Sequence, residues 1–335
     1  MTITNKLVNY EYDHTIGMDD FAGRAFRNLS DLAVTDDGVL FVLQRGESVH
    51  NNPSVKICTV DEEWIGEFGD YGQESGQLMW PCGIAISNER AIYVTDEWNQ
   101  KVLVFDMKGS FISQWGTKGS GNGEFDSPSG IAFEQSGNLL IVDARNNRIQ
   151  RFTSKGEYIN AFGSHGTGAG GFNMPWGVAV NHLGEIYVSD WRNDRIQKFS
   201  SDGEYILEWG EHGSSEGQFN RPAGLCVDGD GWVYVADWHN DRVQIFDTEG
   251  SYLGELNGDA TMSKWGAQLL EANPLMEGFG KQQNTRSWRV NCIAHDRCAP
   301  MQWGIFSSWI HVRVACRYIK RSSCRLRCPL FIFSP

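Results

Sequence analysis

The sequence predicts an all-β protein, a six-bladed-type β-propeller whose last blade is incomplete or degenerate. Two observations lead to this prediction: a repeat of 47 residues, and four short β-rich segments within each repeat. Prolines, aspartates, basic residues and phenylalanines all recur at this step. The positions are Pro81, Pro128, Pro175 and Pro222, then Asp96, Asp143, Asp190 and Asp237, then Lys101, Arg148, Arg195 and Arg242, then Phe105, Phe152, Phe199 and Phe246. Four sets of positions that share one spacing indicate an internal repeat.

One unit, residues 175–210, reads PWGVAVNHLGEIYVSDWRNDRIQKFSSDGEYILEWG. Its four segments are rich in Val, Ile, Tyr and Phe and are separated by NHLG, WRND and SDG. This pattern predicts four strands joined by tight turns. A four-stranded unit of this length without helical periodicity is typical of a propeller blade. Continuous apolar runs such as IYV fit strands that are covered on both faces.

The chain divides into four predicted regions. Residues 1–27 are expected to supply a strand that closes the ring, and residues 28–258 are expected to form five recognisable blades. Residues 259–275 predict a short helical segment, because Met262, Trp265, Leu269 and Leu270 have helical spacing. Residues 276–335 form a basic, Cys-rich tail whose fold the sequence does not determine. The tail has a net charge of +8, against −21 for residues 1–275, so a translation or splicing artefact in place of the sixth blade is an alternative.

Charge and hydropathy restrict the functional classes. The whole chain has a formal charge of −13, which disfavours a role dominated by contacts to nucleic-acid phosphates. No apolar run reaches the roughly 20 residues that a membrane-spanning helix needs, so no membrane partner is expected. The first 20 residues lack the basic-then-apolar pattern of a secretory signal, and we therefore expect a cytoplasmic location.

The segments DEWNQKVLVF, DARNNRIQRF, DWRNDRIQKF and DWHNDRVQIF resemble the NHL repeat, and the resemblance covers about residues 28–258. The tryptophan-aspartate propeller repeat is disfavoured, because Asp precedes Trp here. The resemblance implies a recognition propeller, which in some relatives is joined to a RING-type ubiquitin ligase or a tripartite-motif scaffold and in others binds RNA. A related branch, of the peptidylglycine lyase type, consists of metal-dependent enzymes.

The most regular motif, Asp-x-x-Asn-x-Arg, recurs in three units, and Lys101 replaces the Arg in the fourth. Asp190, Asn193 and Arg195 are one example. An active site should occur once, whereas this motif occurs in each blade, so we interpret it as structural. The Asp is expected to accept turn amides and to pair with the Arg, and the Asn to adopt a left-handed backbone conformation.

The order of the strands predicts a binding surface. The connection that enters each blade and the turn between its second and third strands are two antiparallel strands apart, so both should emerge on one face. We call this surface the Trp/Arg face. Its candidate binding residues, with Cys82 beside them, are Arg45, Trp80, Trp98, Arg145, Trp176, Trp191, Arg192, Arg221, Trp238 and His239. Trp and Arg dominate binding hot spots, but an alternative is that several of the tryptophans only fill blade junctions.

These observations favour a non-catalytic scaffold that recognises a protein or peptide, and the resemblance extends this to a ubiquitin-ligase pathway. One alternative is RNA binding on the same face. Another is a metal-dependent enzyme of the lyase or lactonase type. His165 and His212 occupy equivalent positions, but no third histidine shares their register, whereas a catalytic zinc site usually has three protein ligands. We therefore predict no catalytic residue, no metal site and no cofactor.

Overall fold

The computed structural model describes residues 10–16, 26, 28–45, 52–257, 315–321 and 331–333. Within these residues the regular structure is β-strand, apart from a 3-10 turn at Trp238–Asn240. Five antiparallel sheets of four strands follow one another along the chain, and the strand order within each sheet is that of the sequence. This arrangement confirms the predicted all-β propeller architecture. We number the sheets blade 1 to blade 5 in chain order.

The strand bounds follow the repeat. Blade 1 consists of Leu29–Val34, Val39–Gln44, Ser54–Thr59 and Trp64–Phe68. Blade 2 consists of Pro81–Ile86, Ala91–Asp96, Lys101–Asp106 and Phe111–Trp115. Blade 3 consists of Pro128–Phe133, Leu139–Asp143, Arg148–Phe152 and Tyr158–Phe162. Blade 4 consists of Pro175–Val180, Ile186–Asp190, Arg195–Phe199 and Tyr205–Trp209. Blade 5 consists of Pro222–Val227, Val233–Asp237, Arg242–Phe246 and Tyr252–Asn257.

A connection with a short parallel pairing leads from the outer strand of each blade to the next blade. The pairings are Asp70–Tyr71 with Gln77–Leu78, Thr117–Lys118 with Glu124–Phe125, Ser164–His165 with Gly171–Phe172, and a single bridge between His212 and Phe219. Each pairing folds the connection back on itself before the next blade begins.

The first strands of successive blades lie side by side around the centre. A Cβ atom added at Gly83 would lie 2.5 Å from the carbonyl oxygen of Ser129, and one added at Gly177 would lie 2.6 Å from that of Ala223. Only glycine permits so close an approach between two backbones. Because each of these strands begins at one of the repeated prolines, the four prolines surround a common centre, as the repeat predicts.

The repeated phenylalanines form the core between blades. Phe152 and Phe199 are almost fully buried, and each packs against the phenylalanine that ends a connection. The ring centroids are 5.6 Å apart for both Phe125–Phe152 and Phe172–Phe199. Aromatic pairs at this separation stabilise beyond the area they bury. The junctions between blades therefore have the same packing from one repeat to the next.

The Asp-x-x-Asn-x-Arg motif joins the second and third strands to the entering connection. Asp143 accepts hydrogen bonds from the amide of Asp126 at 2.7 Å and from Nε of Arg148 at 2.8 Å. Asn146 Nδ2 donates to the carbonyl oxygen of Gly119 at 2.8 Å and also to Asp143. These contacts are the structural ones expected. The left-handed backbone, however, lies one residue after the Asn, at Gln100, Asn147, Asp194 and Asp241. The Asn is used instead as a side-chain donor.

A three-stranded sheet lies beside blade 1. Its edge strand, Tyr10–Ile16, pairs antiparallel with Ala315–Arg321, which pairs in turn with Phe331–Phe333. Ile16 is fully buried in a cluster with Phe26 and residues of blade 1. The ring-closing role of residues 1–27 stays a prediction. The helical segment expected at 259–275 lies outside the described residues, as does most of the 276–335 tail. In the described ranges, no helix has the length and apolar character needed to cross a membrane.

Candidate functional site

Hydrogen bonds show that the two predicted loop sets share one side of the molecule. In every blade a backbone amide in the turn after the second strand donates to a carbonyl oxygen of the entering segment. The pairs, with N–O distances of 2.8–3.1 Å, are Arg45 with Asn28, Glu97 with Trp80, Arg145 with Asp126, Arg192 with Asn173 and His239 with Asn220. The Trp/Arg face is therefore built from adjacent loops, as the strand order predicts.

In blades 1 and 2 this face contains an aromatic pair next to a neutralised arginine. Arg45 Nη2 lies 2.6 Å from Glu97 Oε2, and the Arg45 guanidinium lies 5.0 Å from the ring centroid of Trp80. Trp80 and Trp98 meet edge to face, with ring centroids 4.9 Å apart. The Trp98 side chain is 44% exposed, whereas Glu97 is buried. This sector therefore presents an indole to solvent and keeps its ion pair below the surface.

Cys82 lies beneath the same ion pair, with its Sγ 3.7 Å from Arg45 Nη1 and 3.5 Å from Glu97 Oε2. Burial raises the pKa of the Cys82 thiol well above its ordinary value. The group is therefore protonated at neutral pH, and it is not a thiolate nucleophile. Cys82 contributes to the packing under the Trp/Arg face.

In blades 4 and 5 the tryptophans fill the junction between the sheets. The rings of Trp191 and Trp238 are stacked with centroids 6.1 Å apart, and Trp176 lies 6.2 Å from Trp191. Trp191 and Trp238 are each only 7% exposed. The guanidinium groups of Arg221 and Arg192 lie over the Trp191 ring, at 4.5 Å and 5.5 Å from its centroid. The buried indoles underlie this part of the surface, and the guanidinium groups lie over them.

The accessible part of the face is a set of equivalent positions on successive blades. Trp98, Arg145, Arg192 and His239 follow one another at steps of 47 residues, and all four side chains are exposed. The buried residues Glu97, Ala144, Trp191 and Trp238 occupy the preceding register. The sequence prediction treated all the tryptophans as one group. Trp98, however, occupies the exposed register, whereas Trp191 and Trp238 occupy the buried register one position earlier. Glu97, which the prediction missed, is identified by the same register.

The face differs in charge from the opposite side of the molecule. The turns between first and second strands, and between third and fourth strands, emerge opposite to it. Exposed acidic residues predominate there, including Asp36, Asp37, Asp61, Glu89, Asp202, Asp230 and Glu249, with Arg90, Lys108 and Lys155 among them. The exposed carboxylates on the Trp/Arg side, such as Glu74, Glu211 and Glu216, follow the outer strands and so lie toward the rim.

The two repeat-equivalent histidines lie on the connections. Both His165 and His212 are exposed, and His212 Nδ1 lies 2.9 Å from Asp194 Oδ2. In the part of the chain that the structure describes, no group of three or more His, Cys, Asp or Glu side chains is arranged to hold a metal ion.

The fold and the loop geometry define a β-propeller with one face that exposes the indole of Trp98, the side chains of Arg145 and Arg192, and the imidazole of His239. A family model described as a six-bladed β-propeller, DUF5128, matches residues 81–160. The NHL repeat model matches residues 172–199 and 219–246. The chain therefore contains NHL repeats within a β-propeller. No curated protein matches it in sequence.

Solved structures of several functional classes share the fold. Virginiamycin B lyase from Staphylococcus aureus is 16% identical, with a TM-score of 0.52 over 74% of this chain and 74% of the lyase chain. A chain of the nidogen/laminin complex is 17% identical, with a TM-score of 0.52 over 70% of this chain and 82% of its own. U3-55K is 12% identical, with a TM-score of 0.54 over 73% of this chain and 70% of its own. At these identities the likeness concerns the fold alone.

Proposed function

We propose that this protein is a non-catalytic recognition scaffold that binds a protein or peptide on the Trp/Arg face. A single observation carries the proposal. On a backbone that repeats almost unchanged, the exposed register on four successive blades holds Trp98, Arg145, Arg192 and His239. A surface whose loops are fixed but whose side chains differ from blade to blade can read an asymmetric ligand.

The residue types support the same proposal. Trp and Arg bury a large area while keeping a directed polar group, and they are enriched among hot-spot residues. Trp98 is pre-positioned by Trp80, and Arg192 is pre-positioned over Trp191. Pre-positioned side chains lose less conformational entropy on binding. The proposal includes a cytoplasmic location and, by the family resemblance, a place in a ubiquitin-ligase pathway.

RNA binding on this face is the second candidate, because exposed arginines beside an indole favour stacking and phosphate contact. The net charge of −21 over residues 1–275 opposes it. Counterion release makes association with RNA steeply salt-dependent and sensitive to ribonuclease. These two properties separate it from peptide recognition.

Affinity capture with the immobilised full-length chain tests the proposal. The variant Trp98→Ala/Arg145→Ala/Arg192→Ala removes three exposed groups of the Trp/Arg face. The matched control is Ile112→Ala/Arg90→Ala/Lys155→Ala, which removes an exposed apolar side chain and two cations away from that face. Loss of one hot-spot contact of about 2 kcal/mol weakens binding about thirtyfold. We expect a protein partner to be retained by the control and lost by the face variant. Equal capture by both variants contradicts the proposal, and loss of the partner after ribonuclease treatment supports the RNA alternative.

A further inference from the structure

The four connections that enter blades 2 to 5 share one backbone hydrogen bond. In each connection a glycine amide donates to the carbonyl oxygen of the residue six positions later. The pairs, with N–O distances of 2.9–3.0 Å, are Gly72 with Leu78, Gly119 with Phe125, Gly166 with Phe172 and Gly213 with Phe219. Because this bond is the same four times, differences between the connections come from the side chains that hold them.

In blades 3 to 5, the motif arginine and a glutamine two residues later tie the connection to the blade. Arg148 Nη2 donates to the carbonyl oxygen of Gly121 at 2.7 Å. Gln150 donates to the carbonyl oxygen of Glu124 at 2.7 Å and accepts from the amide of Gly123 at 3.0 Å. The same kinds of bonds are formed by Arg195 with Gln197 in blade 4 and by Arg242 with Gln244 in blade 5. Two side chains therefore hold each of these three connections.

The connection that enters blade 2 lacks both of these ties. Lys101 stands at the position of the arginine and Leu103 at that of the glutamine. A leucine side chain forms no hydrogen bond, and Lys101 forms no hydrogen bond or ion pair with the residues that the structure describes. Leu78 also takes the place of the phenylalanine that ends the other connections. A ring pair like that of Phe125 and Phe152 therefore cannot form there.

The end of this connection is nevertheless attached to the blade. Asp96 accepts a hydrogen bond from the amide of Met79 at 2.6 Å, and Leu78 is fully buried. Before these residues, Asn99 Nδ2 lies 3.2 Å from the carbonyl oxygen of Gly72. The equivalent distances in blades 3 to 5 are 2.8–2.9 Å. The part that has lost its ties is therefore the stretch before Leu78.

We propose that residues 70–77 are a strap that opens locally, while the equivalent connections into blades 3 to 5 stay closed. Segments with few side-chain contacts open at a lower free energy than the core of the same protein. Asn99 directly follows Trp98, so opening of the strap changes the surface beside the exposed indole. The blade 2 sector of the Trp/Arg face is thus adaptable, and the sectors of blades 3 to 5 are fixed. This inference does not depend on the proposed function.

Hydrogen exchange of the full-length chain, resolved to single amides by mass spectrometry with electron-transfer fragmentation, tests the inference. The four glycine amides are matched probes, because each forms the same backbone hydrogen bond. Loss of a hydrogen bond to a charged group changes a local equilibrium about tenfold or more. We therefore expect the protection factor of Gly72 to be at least about tenfold below those of Gly119, Gly166 and Gly213. Equal protection of the four amides overturns the inference.

Exchanging the ties between blades tests their role. Arg148→Lys/Gln150→Leu gives blade 3 the side chains of blade 2, and it should lower the protection of Gly119 about tenfold or more. Gly166 in the same molecule should not change, which separates local opening from a general loss of stability. The matched control is Arg90→Lys/Gln135→Leu, which makes the same changes at exposed positions on the opposite side. An unchanged Gly119, or an equal effect of the control, contradicts the proposal.

Limited proteolysis with a glutamate-specific protease gives a second readout. Glu74 in the strap and Glu216 in the connection into blade 5 are both exposed. Cleavage requires local opening, so among the connections the first cut should follow Glu74. Lys101→Arg/Leu103→Gln restores the ties and should slow this cut, whereas Lys155→Arg/Leu183→Gln, at exposed positions on the opposite side, should not. Earlier cleavage after Glu216 than after Glu74 overturns the inference.

Discussion

Replacing Asp190 by alanine tests whether the repeated motif stabilises the fold. The Asp190 carboxylate is fully buried. It accepts hydrogen bonds from the amide of Asn173 at 2.7 Å, Asn193 Nδ2 at 2.8 Å and Arg195 Nε at 3.0 Å. Removing one partner of a buried ion pair costs about 3–5 kcal/mol. Arg195 keeps Glu208 at 2.9 Å and several backbone carbonyl oxygens, so we expect the lower end, about 3 kcal/mol.

Urea titration and thermal melting followed by circular dichroism measure this loss. For a domain of this size 1 kcal/mol shifts Tm by about 2–4 °C, so Asp190→Ala should melt about 6–12 °C below the parent chain. Asp202→Ala is the matched control, because this exposed aspartate lies in a turn of the same blade. Surface substitutions of this kind usually change stability by less than about 0.5 kcal/mol. If Asp190→Ala melts like Asp202→Ala but no longer binds a ligand, the motif is functional and the structural interpretation is refuted.

Three further predictions concern stability and use the same two assays. Burial raises the pKa of Asp31 to about 7, so the folded state keeps a proton that the unfolded chain has released. The contribution of Asp31 to stability should therefore fall by up to about 1.4 kcal/mol per pH unit as pH rises from about 4 to about 7, and Asp31→Asn should remove this contribution. Gly177→Ala places a Cβ 2.6 Å from a carbonyl oxygen of the next blade. This substitution should lower the free energy of unfolding by about 1–3 kcal/mol. Gly224→Ala, whose Cβ meets no described atom within 4 Å, should cost less, and equal losses would contradict the close-approach argument. Trp191→Ala should lower the free energy of unfolding by about 3–5 kcal/mol because its ring is buried, whereas Trp98→Ala should lower it by less than about 1 kcal/mol. Similar losses would contradict the division between buried and exposed indoles.

The architecture was predictable because the determinants of a blade are local and repeated. The prolines begin the first strands, the Asp-x-x-Asn-x-Arg motif marks the turn between the second and third, and strand order alone fixes which loops share a face. The Trp/Arg face followed from this order without any knowledge of side-chain packing. The structure confirms the loop placement through the hydrogen bonds between each turn and its entering segment.

Side-chain exposure was missed, because the sequence prediction did not separate the second motif position, which packs between blades, from the third. Trp98 and Trp191 are both tryptophans in the same type of turn, yet one is exposed and the other is buried against Trp238. The sequence predicted a ring-closing strand in residues 1–27, but it did not identify Ala315–Arg321 as the strand with which Tyr10–Ile16 pairs. The tail strand has none of the repeat markers, and its partner is some 300 residues away in sequence.

Adjacent positions of the motif turn differ in burial and in the bonds that they form. In blades 3 to 5 the first, fourth and sixth residues of the motif bond to one another or to the entering connection, which fixes the turn. The second residue is buried in blades 2 to 5 and supports the turn from below, as Trp191 does. The third residue, Trp98 or Arg192 for example, extends into solvent from a backbone that its own side chain does not hold. Under the proposed function, a substitution at the third position should change ligand affinity at little cost in stability, whereas a substitution at the second position should change both. This separation is the physical reason to look for the specificity of the propeller in its third register.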